Sequence, residues 1–297
     1  MNNPVFKGSC VALITPFTDN GVDFKKLEKL IEFQIENGTD SILICGTTGE
    51  SSTMPDSEHK EVIRFAVDII NKRIPVIAGT GSNDTNHTIE MSKFAQKVGV
   101  DAVLLVSPYY NKTTQVGLYE HFKKIANSIE IPVILYNVPT RTSININPET
   151  ILKLSKIDNI IAVKECNFNQ VAEVIHNCGD DFSVYSGNDD LAYAVLSLGG
   201  KGLISVMANI IPKETHLLVK NYLDGKIEES RKIQFKYLDL IKSLFVEVSP
   251  IPLKYIMNYI GFEIGQCRLP LVDLGNSNHK YVKKIIDEYK LSNISLN

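Results

Sequence analysis

The chain lacks the residue patterns that several chemistries require. Its six histidines show no HExxH or other metal-ligand spacing, and His176 beside Cys178 reads as an incidental pair, so no metal is expected. Five cysteines (Cys10, Cys45, Cys166, Cys178 and Cys267) form no CxxC pair and are odd in number, which excludes a secreted disulfide framework. Most read as small buried apolar side chains, and only Cys166, close to Lys164, has a setting that could make a thiol reactive. Gly79-Thr80-Gly81 lacks the third glycine of a dinucleotide fingerprint, and no Walker-type loop is present, so no nucleotide cofactor is assigned. No apolar run reaches the ~18 residues of a membrane span. The opening Met1-Asn2-Asn3-Pro4-Val5-Phe6-Lys7 lacks the basic head and apolar stretch of a signal peptide, and a cytoplasmic protein is expected. A formal net charge of −3 gives no polyelectrolyte character, which argues against nucleic acid as a partner.

What is present is a repeated alternation. Eight short, nearly continuous apolar runs recur at Cys10–Ile14, Ser41–Cys45, Pro75–Gly79, Ala102–Val106, Pro132–Tyr136, Ile160–Val163, Ser183–Tyr185 and Gly202–Val206. Continuous rather than alternating apolar residues mark strands covered on both faces. Between them lie amphipathic stretches: Phe24–Glu36, Ser57–Asn71, Thr85–Val98, Gln115–Ser128, Pro148–Ser155, Asn169–Asn177 and Asp189–Leu198. Asn147 before Pro148 suits an N-cap and first helical position, and Gly38 and Gly99 stand where helices should stop. Eight βα units predict an α/β fold, a (β/α)₈ TIM barrel over residues 1–222. A helical C-terminal region over residues 223–297 is expected from Ile227–Val246, Pro250–Tyr259 and Tyr281–Leu291. Counting βα units cannot by itself distinguish a closed barrel from a doubly wound open sheet.

In such a barrel, reactive groups sit at the carboxyl ends of strands. After the second strand, Gly46-Thr47-Thr48-Gly49-Glu50-Ser51 could cradle a carboxylate with hydroxyls and exposed N–H groups, or serve as a turn capping the next helix. Pro108-Tyr109-Tyr110-Asn111 follows the fourth strand. The fifth ends in Tyr136-Asn137-Val138-Pro139-Thr140-Arg141-Thr142, where phenols suggest proton transfer and the Arg141 fork suits a carboxylate. Ordinary packing of the tyrosines and a surface ion pair at Arg141 are the bland alternatives. The sixth strand runs into Lys164-Glu165. A lysine at the mouth of an apolar barrel loses solvation, which favours the neutral amine that attacks a ketone; a lysine that snorkels to solvent is the competing possibility. Asp180-Asp181 and Asp189-Asp190 read as solvated turns or helix starts.

Taken together, these segments resemble the dihydrodipicolinate synthase and N-acetylneuraminate lyase superfamily over essentially the whole chain. Ser186-Gly187, Gly202-Leu203-Ile204-Ser205-Val206 and Pro250-Ile251-Pro252-Leu253-Lys254 extend the match. The resemblance implies an aldol-type condensation of pyruvate with aspartate semialdehyde through an imine on Lys164, without metal or organic cofactor. It also implies that Tyr136, hydrogen-bonded to Thr48, shuttles protons and that Tyr110 completes the relay from a neighbouring subunit of a homotetramer. Thr47 and Thr48 would hold the pyruvate carboxylate, Arg141 that of the aldehyde, and Gly187 and Ile204 would line the pocket through their backbones.

Lyases of sialic acid and of 2-keto-3-deoxy sugar acids share the fold and the lysine, so the substrate has to be argued separately. Thr47-Thr48 and Arg141 favour the small acidic aldehyde over a sugar chain. A noncatalytic paralogue would have lost Lys164, Tyr136 or Arg141, and all three are present. Relatives inhibited by lysine bind it with residues matching Ser51, Ser52, Asp56, His59, Asn83, His87 and Tyr109. Here His87 stands where regulated relatives carry glutamate and Asp56 where they often carry histidine, so weak or absent inhibition is expected.

Overall fold

The computed structural model describes residues 4–296, so Met1 to Asn3 of the opening segment lie outside the described residues. Eight parallel strands form a closed barrel, which removes the open-sheet alternative. The strands are β1 (Gly8–Ala12), β2 (Ser41–Ile44), β3 (Val76–Gly79), β4 (Ala102–Val106), β5 (Val133–Asn137), β6 (Ile160–Glu165), β7 (Ser183–Ser186) and β8 (Gly202–Ser205). Closure comes from β1 pairing with β8, with Cys10 opposite Ile204 and Val11 opposite Ser205.

The strands are short and buried along nearly all their length, most of them carry several β-branched residues, and period-two alternation separates two packing layers. Cys10, Ala12, Leu43, Ile77, Leu104, Ile134, Tyr136, Ala162, Tyr185 and Ile204 fill the interior. The floor is closed by Phe6 stacked on Tyr185 at 4.3 Å between ring centroids, with the Tyr185 hydroxyl donating to the Phe6 carbonyl at 2.9 Å. The intervening residues, such as Ile42, Ile44, Leu135 and Val163, face the helices.

The surrounding helices are α1 (Phe24–Glu36), α2 (Asp56–Ile70), α3 (Thr85–Val98), α4 (Gln115–Ala126), α5 (Pro148–Leu154), α6 (Val171–Cys178), α7 (Ala192–Ser197) and α8 (Pro212–Leu223). Gly99 ends α3 at φ 94°, the left-handed C-cap its position suggested. Pro148 is the first residue of α5, but the Asn147 side chain makes no capping bond; its Oδ1 accepts from Asn145 Nδ2 at 3.1 Å.

Among the described residues, four α-helices follow the barrel: α9 (Ile227–Lys236), α10 (Leu238–Ser243), α11 (Ile251–Tyr259) and α12 (Asn276–Glu288). The expected single helix over Ile227–Val246 is therefore two, parted at Tyr237, whose buried ring stacks on Tyr289 at 5.5 Å. The last helix begins at Asn276, earlier than Tyr281. Leu240, Leu253, Ile256, Val282 and Ile286 of this region belong to the same apolar core as the outer faces of the strands. The elements not named from the sequence include α8, a two-stranded ribbon pairing Phe17–Thr18 with Gly21–Val22 and a one-turn helix at Pro139–Thr142. Among the described residues, no helix is long and apolar enough to cross a membrane.

Candidate active site

Strand β6 runs through Glu165, so Lys164 lies inside the strand and not just beyond it. Tyr136 of β5 is its direct cross-strand partner, and both side chains are buried, each 6% exposed. The Lys164 ammonium nitrogen stands over the Tyr136 ring at 4.5 Å from its centroid. Gly187, just past β7, donates its N–H to the Glu165 carbonyl at 2.9 Å. A Cβ there would clash with Cys166 Sγ and crowd Lys164 Cε at 3.2 Å, so glycine keeps this side of the lysine open. Ile204 completes this wall from β8 and is fully buried in the barrel interior.

Glu50 heads a single 3-10 turn at Ser51–Thr53 without a side-chain capping bond, and the Gly46–Ser51 segment does not cap α2, which starts only at Asp56 with Pro55 in the cap position. Instead it folds into consecutive turns, Gly49 N–H to Gly46 O and Glu50 N–H to Thr47 O, both 3.1 Å. The Thr47 and Thr48 N–H groups lie outside this bonding. Thr47 is exposed and Thr48 buried. Thr47 and Tyr136 line one small cavity with Gly79 and Val106, and Thr47 and Arg141 line the larger one at the mouth, of about 450 Å³. Arg141, on the one-turn helix after β5, donates from Nη2 to the Ser249 carbonyl at 3.0 Å, so the C-terminal region orients it. The described residues show no hydrogen bond between Tyr136 and Thr48. Tyr110 is not brought to this centre: it is 94% exposed at φ 66°. Its loop is clamped by Asn83 Nδ2 on the Tyr109 carbonyl at 3.2 Å and Asn111 Nδ2 on the Asn83 carbonyl at 3.0 Å.

Three buried carboxylates surround these residues, and the sequence did not mark them as important. Glu165 accepts from Asn137 Nδ2 (2.9 and 3.1 Å), Asn167 N–H (2.7 Å) and Gln170 Nε2 (2.9 Å), while burial pushes its carboxyl up to about 7. Asp189, expected in a solvated turn, is 1% exposed. It accepts from Ser205 Oγ at 2.5 Å and from Val206 N–H at 3.0 Å, tying the loop after β7 to the end of β8; burial raises its carboxyl, and Lys164 is among the groups that draw it back. Glu50, in the left-handed region at φ 54°, meets Lys254 of α11 at 2.7 Å with both side chains buried. That oxygen has no aligned donor, so the contact is coulombic; the other oxygen accepts from Arg268 N–H at 2.9 Å. Burial lowers the Lys254 ammonium, and the Glu50 charge opposes that shift.

Cys166 is no activated thiol, because burial pushes it up to about 11 despite the nearby Lys164 charge. Ser51, Ser52, Asp56, His59, His87 and Tyr109 all line the mouth cavity. The two residues that depart from the lysine-binding pattern face each other, His87 Nε2 to Asp56 Oδ1 at 3.0 Å. Among the described residues, no group of three or more His, Cys, Asp and Glu side chains could hold a metal ion.

Comparison with known proteins places this geometry. Residues 5–289 match the model of the dihydrodipicolinate synthetase family. The chain is 63% identical over 291 residues to the 4-hydroxy-tetrahydrodipicolinate synthase of Acetivibrio thermocellus, covering 98% of this chain and 100% of that relative. Among solved structures, the dihydrodipicolinate synthase of Aquifex aeolicus superposes with a TM-score of 0.94 at 45% identity, covering 97% and 99% of the two chains. The chloride-inhibited enzyme of Acinetobacter baumannii in complex with pyruvate gives 0.93 at 41% identity, covering 96% and 99%.

Proposed function

The chain belongs to the dihydrodipicolinate synthetase family, and from that premise we propose how it condenses pyruvate with L-aspartate 4-semialdehyde to 4-hydroxy-tetrahydrodipicolinate in lysine and diaminopimelate biosynthesis. The observation that carries the mechanism is a buried lysine at the carboxyl end of a barrel strand, over a tyrosine ring and against a glycine that leaves it space. The Lys164 amine adds to the keto carbon of pyruvate and loses water, giving an imine whose protonated nitrogen withdraws electrons. A methyl proton then leaves, and the enamine carbon attacks the aldehyde. Ring closure follows when the substrate's own amine displaces Lys164.

Tyr136, directly beside the amine, moves protons to and from the reacting centre. Its partner in the relay, by the resemblance to the family, is Thr48. Thr47 and Thr48 offer hydroxyls and unbonded N–H groups to the pyruvate carboxylate. Arg141, held by Ser249 at the cavity mouth, takes the aldehyde's carboxylate. Gly187 and Ile204 shape the opposite wall. Residues 1–222 thus carry the chemistry, and residues 223–297 hold its loops through Ser249 and Lys254.

Tyr110 serves the site of a neighbouring subunit, in a homotetramer arranged as a dimer of dimers. Supporting this are its near-complete exposure and the asparagine clamp that fixes its left-handed backbone. The cytoplasm is the expected compartment, and five free cysteines suit its reducing conditions. Borohydride reduction in the presence of pyruvate should add a three-carbon adduct to the peptide bearing Lys164, alongside turnover with aspartate semialdehyde. An adduct on another lysine, or none, would overturn the mechanism. Sedimentation as a monomer with full activity would overturn the shared Tyr110.

A further inference from the structure

We propose that Asn137 and Glu165 form a positioning device for the reaction at Lys164, acting from the outer face of the barrel. The proposal deepens the mechanism above and rests on Lys164 being the imine-forming residue. Strands β5 and β6 pair so that Tyr136 lies opposite Lys164 and Asn137 opposite Glu165. Because successive side chains alternate between faces, the first pair points into the barrel and the second points out toward the helices. The reacting residues and their braces are therefore neighbours on the same two strands.

The outward pair is tightly bound. The Asn137 amide donates to both Glu165 oxygens, at 2.9 and 3.1 Å, and its own carbonyl oxygen accepts from Ile146 N–H at 3.0 Å. Gln170 Nε2 bridges Glu165 and the Ile146 carbonyl, at 2.9 and 3.0 Å, and Asn167 N–H supplies a further donor to Glu165 at 2.7 Å. Asn137, Glu165 and Gln170 are all buried. One pleat earlier the same face is filled by Leu135 and Val163, which pack there without a charge to desolvate. On these two strands a carboxylate network replaces this apolar packing at the pleat beside Tyr136 and Lys164. A directional bond fixes the spacing of two strand ends in a way that apolar contact does not. Through its backbone carbonyl Glu165 also holds Gly187, the residue against Lys164. One residue thus sets the lysine against both its neighbours, Tyr136 on one side and Gly187 on the other.

The test compares wild type with Glu165→Gln, which keeps the side-chain shape, and with Asn137→Ser, which shortens the brace without adding charge. Two readouts are needed beyond folding: kcat against KM for pyruvate, and the rate at which the pyruvate methyl group exchanges protons for deuterium in D₂O. Positioning predicts that kcat and exchange fall together by about 10- to 100-fold, while KM stays within about threefold and the borohydride adduct still forms on Lys164. If a folded variant of either kind keeps wild-type kcat and exchange and only its thermal midpoint falls, the pair is merely structural and the proposal fails. If wild-type protein gives no adduct at Lys164, the mechanism itself fails, and the two failures are told apart by that control.

Discussion

Lys254→Met should unfold the protein at a markedly lower temperature, although residue 254 lies outside the barrel. In the wild type the Lys254 ammonium is 2.7 Å from Glu50, and both side chains are almost wholly buried. The ammonium also donates to the Gln266 carbonyl at 2.7 Å and stands over the Phe17 ring at 4.3 Å. Methionine fills the space but leaves the Glu50 carboxylate with the Arg268 N–H as its hydrogen-bond donor. Stranding one charge of a buried pair costs about 3–5 kcal/mol. For a chain of 297 residues, ~2.1 cal/mol/K per residue gives an unfolding entropy near ~0.6 kcal/mol/K, so the midpoint should fall by about 5–8 °C. Thermal scans at one protein concentration would measure it. Glu50→Gln combined with Lys254→Met removes both charges and should recover most of the loss. A fall below about 2 °C for the single variant would give the pair the value of an exposed ion pair and refute the reasoning. So would a double variant no better than the single one.

Other consequences follow from burial and steric fit. Burial pushes the Glu165 carboxyl up to about 7 from 4.5, so its contribution to stability is full below pH 4.5 and is lost as pH rises through 7, by up to ~3 kcal/mol. Urea midpoints at pH 5 and pH 8 should therefore shift in favour of Glu165→Gln relative to wild type at the higher pH, and an unchanged gap would contradict the burial effect. Gly187→Ala places a methyl against Lys164 Cε and Cys166 Sγ and should lower kcat by at least about tenfold. Adding Cys166→Ala relieves the sulfur contact alone, so recovery should be partial; full turnover in the single variant would show that the lysine has room to spare. Lysine should inhibit weakly or not at all, because His87 and Asp56 satisfy each other at 3.0 Å. Half-inhibition at submillimolar lysine would reject this.

Much of the fold was legible because barrel strands buried on both faces carry their signal locally, in unbroken runs such as Ser41 to Ile44. Helix ends were legible where one residue decides them, as at Gly99. Closure was not, since it depends on Cys10 meeting Ile204, a contact with no local signature. The candidate reacting residues were visible in part, because a lysine or arginine at a strand end stands out, but their roles came from the resemblance to the family. Their supports were not visible. Asp189 looks like any acidic turn residue until Ser205 and the N–H of Val206, from another strand end, arrive to bury it. Glu50 and Lys254 are far apart in sequence, and each alone resembles a surface charge.

The placement of those supports follows from the barrel itself. Side chains that do chemistry must point inward or upward at the carboxyl end, where there is space for substrate but little for bracing. Rigidity then has to come from the residues that alternate with them or from outside the barrel. Glu165 and Asn137 stand behind Lys164 and Tyr136, Asp189 ties the β7 loop to β8, and the C-terminal region reaches back through Lys254 and Ser249 to the Thr47-Thr48 loop and Arg141. All three supports are polar and buried, which makes each expensive to break and directional in what it holds. Substitutions at these supports should therefore lower stability and misplace a reacting group together. Removing a hydroxyl from Thr47 or Tyr136, by contrast, should impair turnover with little loss of fold.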